Sequence, residues 1–386
     1  MTLVILDPGL HMIAGHHFEL DTALLAAAAA LGVDGHIFCH RTSNPHLNEH
    51  PHITPFFQVV GAETTSDPIL IDLDRFELQN GRLHDDLCRL SEVIDLDQST
   101  LLFPTGSHNS LLGLARWVER WKERPRHLFV MLPGHFQFAI EGGGGTLDQL
   151  FYRYGFSRFP KDADSHVTFL ALSPRQATEF SRIGGRKVEV APYPVGELGD
   201  HIPPPRAADG RRRILTCGSS RDSKGFALLP ELIRRVRATR PNVEFVVQYC
   251  PTEDVTPDAI AAAGATVVQG YLDRDSYHAM IRAADVMLLP YLGPAYQLGT
   301  SAVFAEARWF GRPVIGAAGT SMASDIAEDS RIGLAVRPAV PDLVGALETM
   351  LDNYASFASA AAAAGAEYRQ ANGTARLAAF MLGRAA

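Results

Sequence analysis

The sequence contains few cysteines, no surplus of positive charge and no long apolar run, and each shortage excludes a class of protein. Its four cysteines lie far apart and form no C-x-x-C pair, so neither a disulfide framework nor a zinc ribbon is expected, and a reducing cytoplasm fits best. The 35 basic residues are outnumbered by 43 acidic ones, for a net charge of -8. Because phosphate binding needs a local excess of Lys and Arg, DNA and anionic membrane surfaces are disfavoured as main partners. No apolar run reaches the roughly 18 residues of a membrane span, and the N-terminal MTLVILDPG lacks the basic segment of a signal peptide.

What the sequence does contain is an alternation of short apolar runs with helical segments over most of its 386 residues. Strands that alternate with helices of about 10–15 residues indicate βαβ units and parallel sheets. The pattern breaks at GELGDHIPPPRAADG, which is rich in Pro and Gly, and then restarts. We therefore predict an α/β protein with two doubly wound, Rossmann-like domains, residues 1–195 and 213–370, joined by a linker at 196–212 and facing each other across a cleft. Residues 371–386 are expected to form a C-terminal helix that packs back on the first domain.

The first candidate site follows the first strand of the second half, in CGSSRDSKGFALL at 217–229. Gly218, Ser219 and Ser220 come directly after the strand, and Arg221 and Lys224 precede the next helix. Backbone amides at a helix N-terminus attract phosphate, and two cations with two hydroxyls would complete a diphosphate clamp. The alternative is an ordinary strand-to-helix turn with solvated charges. The order of residues is not that of a Walker A loop.

The second candidate site lies between Pro290 and Ile315, in a strand, loop, helix and strand pattern. Gly299, Thr300 and Ser301 begin the helix and offer a second N-terminus for phosphate. Glu306 follows on the same helix, where a carboxylate could accept both hydroxyls of a ribose. The alternative is that Glu306 is a solvated helix residue without a functional role. The helix is largely apolar, however, so an acidic residue without a function is less expected there.

These residues carry a resemblance to a known family. The order and spacing over Arg213–Ile326 are similar to the nucleotide-binding domain of retaining GT-B glycosyltransferases, family 4 in particular. The matching pieces are the phosphate motif, an Asp before an apolar strand (ADVMLLP at 284–290), the Glu306 helix, and GRPVI at 311–315. The resemblance implies a GT-B fold and transfer of a sugar from a nucleotide sugar, a UDP- or GDP-sugar, to a glycan or lipid-linked acceptor. It further implies a hexosyltransferase that works with retention and without a bound metal or other cofactor.

The sequence departs from this family at three points. The family has a pair of glutamates on this helix, and the position eight residues before Glu306 holds Leu298 instead, which puts the usual contact to the donor sugar in doubt. The cation Arg221 comes three residues after Gly218 rather than directly after it. The paired glycines of the first loop are Ala14 and Gly15 here.

Histidines are concentrated in the first 201 residues, which hold fourteen of the fifteen. His46, His50 and His52 share a polar loop, but no Cys or carboxylate pair completes a zinc set, so no metal is expected. His135 follows a strand's carboxyl end and resembles the family's sugar-facing histidine. His16 lies in the loop after the first strand, where ligand groups also collect.

The expected site has a catalytic and a donor-binding part. The catalytic residues are predicted to be His135, Arg221, Lys224 and Glu306. The donor is predicted to contact Gly15, His16, Gly218, Ser219, Ser220, Gly270, Tyr271, Tyr291, Tyr296, Gly299, Thr300 and Ser301. The four glycines at 142–145 are candidates for a mobile flap. The protein is expected in the cytoplasm, with peripheral contact to the inner face of the membrane left open.

Two other classes of function remain open. A GT-B protein that binds a nucleotide sugar or a partner without turnover is favoured by Leu298. A GT-B epimerase or phosphorylase would share the fold, but the carboxylate pair or the cofactor-anchoring lysine that each needs is not evident. A dehydrogenase is disfavoured because no G-x-G-x-x-G follows the first strand of either half.

Overall fold

A computed structural model describes residues 1–13, 16–47, 49–58, 73–95, 97–121, 125–134, 147–196, 211–218, 220, 222–250, 256–292 and 295–383. The chain forms two compact units. The first contains residues 1–197 together with 372–386, and the second contains residues 198–371. Each unit has its own sheet and its own apolar core.

The sheet of the first unit has seven parallel strands in its described part. They are β1 Thr2–Asp7, β2 Asp34–His40, β3 Ile53–Phe57, β4 Ser99–Phe103, β5 His127–Leu132, β6 Val167–Ala171 and β7 Val188–Val190. Their order across the sheet is β3-β2-β1-β4-β5-β6-β7. The central strands β1, β4 and β5 are almost continuously buried, as expected where helices cover both faces of a parallel sheet.

The sheet of the second unit has six parallel strands in its described part. They are β8 Arg212–Thr216, β9 Val243–Tyr249, β10 Thr266–Gln269, β11 Val286–Leu289, β12 Val314–Ala317 and β13 Gly333–Val336. Their order, β10-β9-β8-β11-β12-β13, is that of the doubly wound nucleotide-binding fold. The predicted α/β class with two such units is therefore confirmed.

The helices alternate with the strands in both units. They are α1 His16–Ala30, α2 Leu73–Leu90, α3 His108–Glu119, α4 Leu147–Arg158, α5 Pro174–Gly184, α6 Leu229–Thr239, α7 Pro257–Ala262, α8 Arg274–Arg282, α9 Ala295–Leu298, α10 Ala302–Trp309, α11 Ser321–Glu328, α12 Val340–Asp352, α13 Tyr354–Ala371 and α14 Thr374–Leu382. Short 3-10 helices occur at Pro45–Leu47, Lys161–Ser165, Asp222–Lys224, Phe226–Leu228 and Ser330–Ile332.

The strand β3 has no counterpart among the strands expected from sequence, because Pro55 interrupts its apolar pattern. Proline cannot donate to a sheet ladder and is therefore confined to edges, and β3 is the edge strand of the first sheet. The sequence LLGLARWVERWKE predicts a helix over residues 111–123, and the observed α3 begins three residues earlier, at His108. The backbone N–H of Ser107 donates to Ser110 Oγ over 2.8 Å, which stabilises this extra turn.

Asp285 ties the two central strands of the second sheet together at their amino ends. It is buried directly before β11, and its carboxylate accepts from the backbone N–H of Arg213 over 2.8 Å and from Arg212 Nη1 over 3.3 Å. The Arg212 guanidinium in turn lies 3.9 Å from the centre of the Tyr354 ring. This acid therefore supports the sheet at the edge opposite to the carboxyl ends, where ligands bind.

The helix α14 completes the core of the first unit although it follows the second unit in the chain. Its Leu377, Ala378, Met381 and Leu382 are buried in the same cluster as Leu24 and Ala28 of α1. At the start of α14, the Gly373 N–H donates to the Tyr193 carbonyl over 2.8 Å, and the Asn372 side chain accepts from the Tyr193 N–H over 2.7 Å. These contacts attach the helix to the segment where the first unit ends.

Replacing Leu377 with alanine is expected to lower the free energy of unfolding of the first unit by about 2–5 kcal/mol, because it removes a fully buried side chain from a packed core. Hydrogen exchange of the β1 and β2 amides measures this loss. Leu78→Ala is the matched control, since Leu78 is 51% exposed and should cost about 0.5 kcal/mol or less. Equal protection in the two variants would show that α14 does not support this core.

Candidate functional site

The candidate site lies at the carboxyl edge of the second sheet, where β8 and β11 are neighbours. The strand order reverses between these two strands, because β9 follows β8 on one side and β12 follows β11 on the other. Such a switch point leaves a crevice at the carboxyl ends of the strands. Both segments predicted to bind the donor begin there, one after β8 and one after β11.

The loop after β8 is shaped by Gly218. This residue has a φ of +97°, and a side chain on it would lie 2.5 Å from Lys224 Nζ and 3.5 Å from Val303 Cγ2. Its N–H donates to Gln248 Oε1 over 3.0 Å. Ser220 is buried, and its Oγ accepts from the Cys250 N–H over 3.0 Å, so its hydroxyl supports the loop. The predicted residues Ser219 and Arg221 lie outside the described residues.

Lys224 is the last residue of a short 3-10 helix, and a second left-handed glycine, Gly225, follows it. Gly225 has a φ of +72°, and a side chain on it would lie 2.1 Å from the Pro290 carbonyl oxygen. The Leu292 N–H donates to the Ser223 carbonyl over 2.6 Å and joins this turn to the segment after β11. The Lys224 ammonium lies against Gly218 and 5.6 Å from the centre of the Tyr291 ring. The structure therefore brings the predicted cation and the predicted glycine together.

Tyr291 connects Lys224 to the start of α10. Its ring is fully buried, and its hydroxyl lies 3.3 Å from Ser301 Oγ. Ser301 is the N-cap of α10, and its Oγ accepts from the Phe304 N–H over 3.3 Å. The rings of Tyr291 and Tyr296 lie 4.4 Å apart. Burial, with a smaller contribution from Tyr296, raises the pKa of Tyr291 well above its usual range, so its hydroxyl keeps its proton.

The turn between α9 and α10 contains three further residues singled out in the sequence. Leu298, at the position where the family has a glutamate, is completely buried. Its side chain belongs to the interior of the unit. The Gly299 carbonyl accepts from Ser321 Oγ over 2.7 Å, which fixes the turn to α11. Thr300 is half-buried beside it.

Glu306 lies one and a half turns into α10, with its side chain 18% exposed. Its Oε2 accepts from the Tyr277 hydroxyl over 2.8 Å, and its Oε1 lies 3.8 Å from His278 Nε2. Tyr277 and His278 both belong to α8 and were not singled out in the sequence. A helical pattern predicts that α8 exists, but it does not predict which side chain will contact another helix.

Cys217 lies under the site, at the end of β8. Its Sγ donates to the Tyr277 oxygen at 3.9 Å. Burial, together with the negative charge of Glu306, raises the pKa of Cys217 to about 12, although the charge of Lys224 opposes the shift. The buried thiol is therefore a neutral donor.

Two predicted donor residues follow β10. Gly270 has a φ of +87°, and its carbonyl accepts from Gln248 Nε2 over 3.2 Å. Gln248 thus bridges Gly218 and Gly270, a contact that sequence reasoning missed. The side chain of Tyr271 is 83% exposed. An aromatic ring so exposed at the carboxyl edge of the sheet is available to a ligand.

The sequence predicts three site residues and a glycine-rich flap in the first unit. Gly15, His135 and the glycines at 142–145 lie outside the described residues, as does the side chain of His16, the first residue of α1. The neighbouring His17 is described: its Nδ1 lies 2.6 Å from Asp7 Oδ2 at the end of β1. Burial opposes the charged form of His17, but the hydrogen bond and charge of Asp7 outweigh it and raise the pKa of the imidazole.

Two D-x-D strings of the sequence, at 162–164 and 273–275, each contain an acid with a structural partner. Asp273 is the N-cap of α8 and accepts from the Ser276 N–H over 2.9 Å, as expected for this position. Asp164 pairs with Arg186. Among the described residues there is no group of three or more His, Cys, Asp or Glu that could hold a metal ion. In the same part of the chain, no helix combines the length and the apolar character needed to cross a bilayer.

The second unit is similar to a known protein family. Residues 211–353 match the family described as Glycosyl transferases group 1. The match contains the Gly218–Lys224 loop, β11 and the Glu306 helix, so it confirms the predicted resemblance on the segments that suggested it. Over these residues the second unit is similar to glycosyltransferases of group 1. A comparison with curated proteins by sequence found no match.

Solved structures extend the likeness to almost the whole chain. Sucrose-phosphate synthase from Thermosynechococcus elongatus has 16% identity and a TM-score of 0.67, with 99% of this chain and 98% of that chain covered. HepE of Anabaena, solved in complex with UDP, has 15% identity and a TM-score of 0.66, with 99% of each chain covered. A trehalose-6-phosphate protein from E. coli, bound with UDP-2-fluoro glucose, has 12% identity and a TM-score of 0.68, with 99% and 98% covered. These matches confirm the predicted GT-B fold.

Gly225→Ala is expected to destabilise the second unit by about 1–3 kcal/mol more than Gly319→Ala does, because the added methyl group has no room at 225. Both glycines have left-handed backbones, with φ of +72° and +83°, so both variants carry the same backbone strain. A side chain at 319 meets open space, whereas one at 225 meets the Pro290 carbonyl. Chemical denaturation of the two variants isolates the cost of that contact. Equal losses would mean that the turn carrying Lys224 relaxes freely.

Proposed function

We propose that this glycosyltransferase transfers a hexose from a UDP- or GDP-sugar to a glycan or lipid-linked acceptor, with retention and without a bound metal, in polysaccharide or glycoconjugate synthesis. One observation supports the donor site above all others. Lys224 Nζ lies against Gly218 at the switch point, and the same buried Tyr291 ring contacts both this ammonium and the Ser301 cap of α10. The Lys224 ammonium, the N-terminus of α10 and the Gly218 backbone thus lie in one crevice.

These groups suit the departure of a nucleoside diphosphate. Negative charge grows on the diphosphate as the bond to the sugar breaks, and groups that are already in place stabilise it without reorganisation. The Lys224 ammonium lies against the Gly218 backbone and 5.6 Å from the centre of the Tyr291 ring, and we infer that it is preorganised for the diphosphate. We infer that Arg221 adds a second cation and that Gly299, Thr300 and Ser301 add backbone amides.

Glu306 is proposed to accept the ribose hydroxyls of the donor. Its carboxylate is partly exposed, and the Tyr277 hydroxyl links it to Cys217, the residue before Gly218. The spacing from phosphate loop to carboxylate is therefore short, as a nucleotide requires. We infer that Gly270 and the exposed Tyr271 contact the nucleoside, with Tyr296 beside the diphosphate or the sugar.

The choice of nucleotide, the mechanism and the individual site residues in this proposal are supported by different observations. UDP is favoured as the first nucleotide to test, since HepE is solved with UDP and the E. coli protein with UDP-2-fluoro glucose. Retention, independence of metal and the roles of His135 and Gly15 rest on the resemblance to family 4. His16 is proposed from its place in the loop after the first strand, and a cytoplasmic location from the lack of paired cysteines in the sequence, with peripheral contact to the inner face of the membrane left open. A non-catalytic binding protein is the second candidate, because the family's first glutamate is replaced by Leu298, which is buried.

Lys224→Ala is expected to weaken binding of UDP or GDP by about 1.5–3 kcal/mol, the contribution of a charge-assisted hydrogen bond. Calorimetric titration measures the affinity. Lys187→Ala is the matched control, because Lys187 is an exposed lysine paired with Glu189 in the first unit. An affinity that survives in Lys224→Ala would remove this lysine from the donor site.

Turnover separates the enzyme from the binding protein. Incubation with a panel of UDP- and GDP-sugars is expected to release nucleoside diphosphate slowly even without acceptor, because water replaces the acceptor poorly. His135→Ala should lower this rate more than it lowers nucleotide affinity, as expected of a group that acts in the transition state. NMR of the released sugar should show a retained anomer, and a chelator should leave the rate unchanged. Tight donor binding with neither hydrolysis nor transfer would favour the binding protein.

A further inference from the structure

The carboxylate of Glu306 is held by a helix that the sequence motifs do not include. The Tyr277 hydroxyl of α8 donates to Oε2 over 2.8 Å, and Tyr277 has no other role in the proposed donor site. His278, the next residue of α8, contributes a ring nitrogen 3.8 Å from Oε1. Both oxygens of Glu306 therefore face α8 side chains, while 18% of the side chain stays exposed.

The direction of these hydrogen bonds follows from chemistry. An ionised carboxylate can only accept, so the Tyr277 hydroxyl is the donor. The Cys217 thiol lies 3.9 Å behind it and donates to the tyrosine oxygen. Burial raises the pKa of Tyr277 well above its usual range and that of Cys217 to about 12, and the charge of Glu306 acts in the same direction on both. Both groups keep their hydrogens, which gives an ordered chain from Cys217 through Tyr277 to Glu306.

This chain connects three elements that carry the proposed donor site. Cys217 is the residue before Gly218, Tyr277 belongs to α8, and Glu306 belongs to α10. A glutamate side chain on a helix normally samples several rotamers, and binding a ligand then costs the entropy of fixing one. The donor chain fixes the carboxylate before any ligand arrives, and a preorganised group discriminates more sharply between ligands.

We propose that Tyr277 is a positioning residue that fixes the Glu306 carboxylate for a ribose, so that the site selects ribonucleoside diphosphates over their 2′-deoxy analogues. This inference rests on the proposed donor site. Tyr277 acts through Glu306 and makes no contact with the ligand itself. Its loss therefore weakens recognition of the ribose hydroxyls and leaves the diphosphate contacts of Lys224 in place.

The affinities of UDP and 2′-deoxy-UDP test this proposal, with GDP and 2′-deoxy-GDP measured in parallel. The intact protein is expected to prefer the ribonucleotide about tenfold, the factor given by one hydrogen bond of about 1.4 kcal/mol. Tyr277→Phe should reduce this preference to about two- or threefold, by weakening the ribonucleotide and changing the deoxy analogue less than about twofold. Tyr354→Phe is the matched control, because it removes a buried tyrosine hydroxyl beside Asp285 at the opposite edge of the same sheet.

A double variant tests whether Tyr277 works through Glu306. Tyr277→Phe combined with Glu306→Gln should have the same ribose preference as Glu306→Gln alone, since residues that act as a unit are not additive. Additive losses would overturn the proposal. If Tyr277→Phe does not fold, Cys217→Ala removes the donor behind the tyrosine and should show a smaller loss of preference in the same direction.

The outcomes separate this proposal from the proposed function. If the intact protein binds neither nucleotide of a pair, both fail. If it binds ribonucleoside and deoxyribonucleoside diphosphates equally, the ribose role is wrong while the diphosphate site stands. If it prefers the ribonucleotide and Tyr277→Phe retains the full preference, Tyr277 is only a structural residue.

Discussion

The candidate site depends on the backbone of two glycines. Gly218 follows the strand β8 with a left-handed backbone, Gly225 has a second one seven residues later, and the Lys224 ammonium between them lies against Gly218. A side chain at Gly225 would lie 2.1 Å from the Pro290 carbonyl oxygen, and one at Gly218 would displace the Lys224 ammonium. The absence of a side chain at Gly218 leaves room for the Lys224 ammonium against the backbone. Tyr291 lies beside this ammonium, and its hydroxyl reaches Ser301 at the start of α10.

The two edges of the second sheet have different tasks, although both carry charged residues. At the amino edge, Asp285 is saturated by Arg213 and Arg212 and serves to join β8 to β11. At the carboxyl edge, Glu306 receives a neutral donor from Tyr277 and keeps part of its surface toward solvent. A fully paired acid adds rigidity, and a partly exposed acid with an oriented carboxylate is suited to a ligand. The amino edge of the sheet is thus structural, and the carboxyl edge is suited to binding a ligand.

Sequence reasoning predicted what depends on local pattern. The strand Val243–Tyr249 follows from local pattern, because Val243, Phe245, Val246 and Val247 are apolar and a parallel strand covered on both faces favours such residues. The edge on which Lys224 and Glu306 lie also followed from strand order. The strand β3 did not, because Pro55 contradicts the local rule and only its edge position permits it. Tyr277 could not be found either, since its contact with Glu306 joins residues 29 positions apart through the packing of two helices.

The placement of α14 has a consequence for how the protein is made. The first unit needs Leu377, Met381 and Leu382 in its core, yet the ribosome must synthesise the whole second unit before these residues emerge. The second unit is continuous in sequence and can close its own core while synthesis continues. The first unit instead waits with an apolar groove along α1 uncovered, and such transient exposure is a common origin of aggregation. Translation speed and chaperone supply should therefore affect the yield of the first unit more than that of the second.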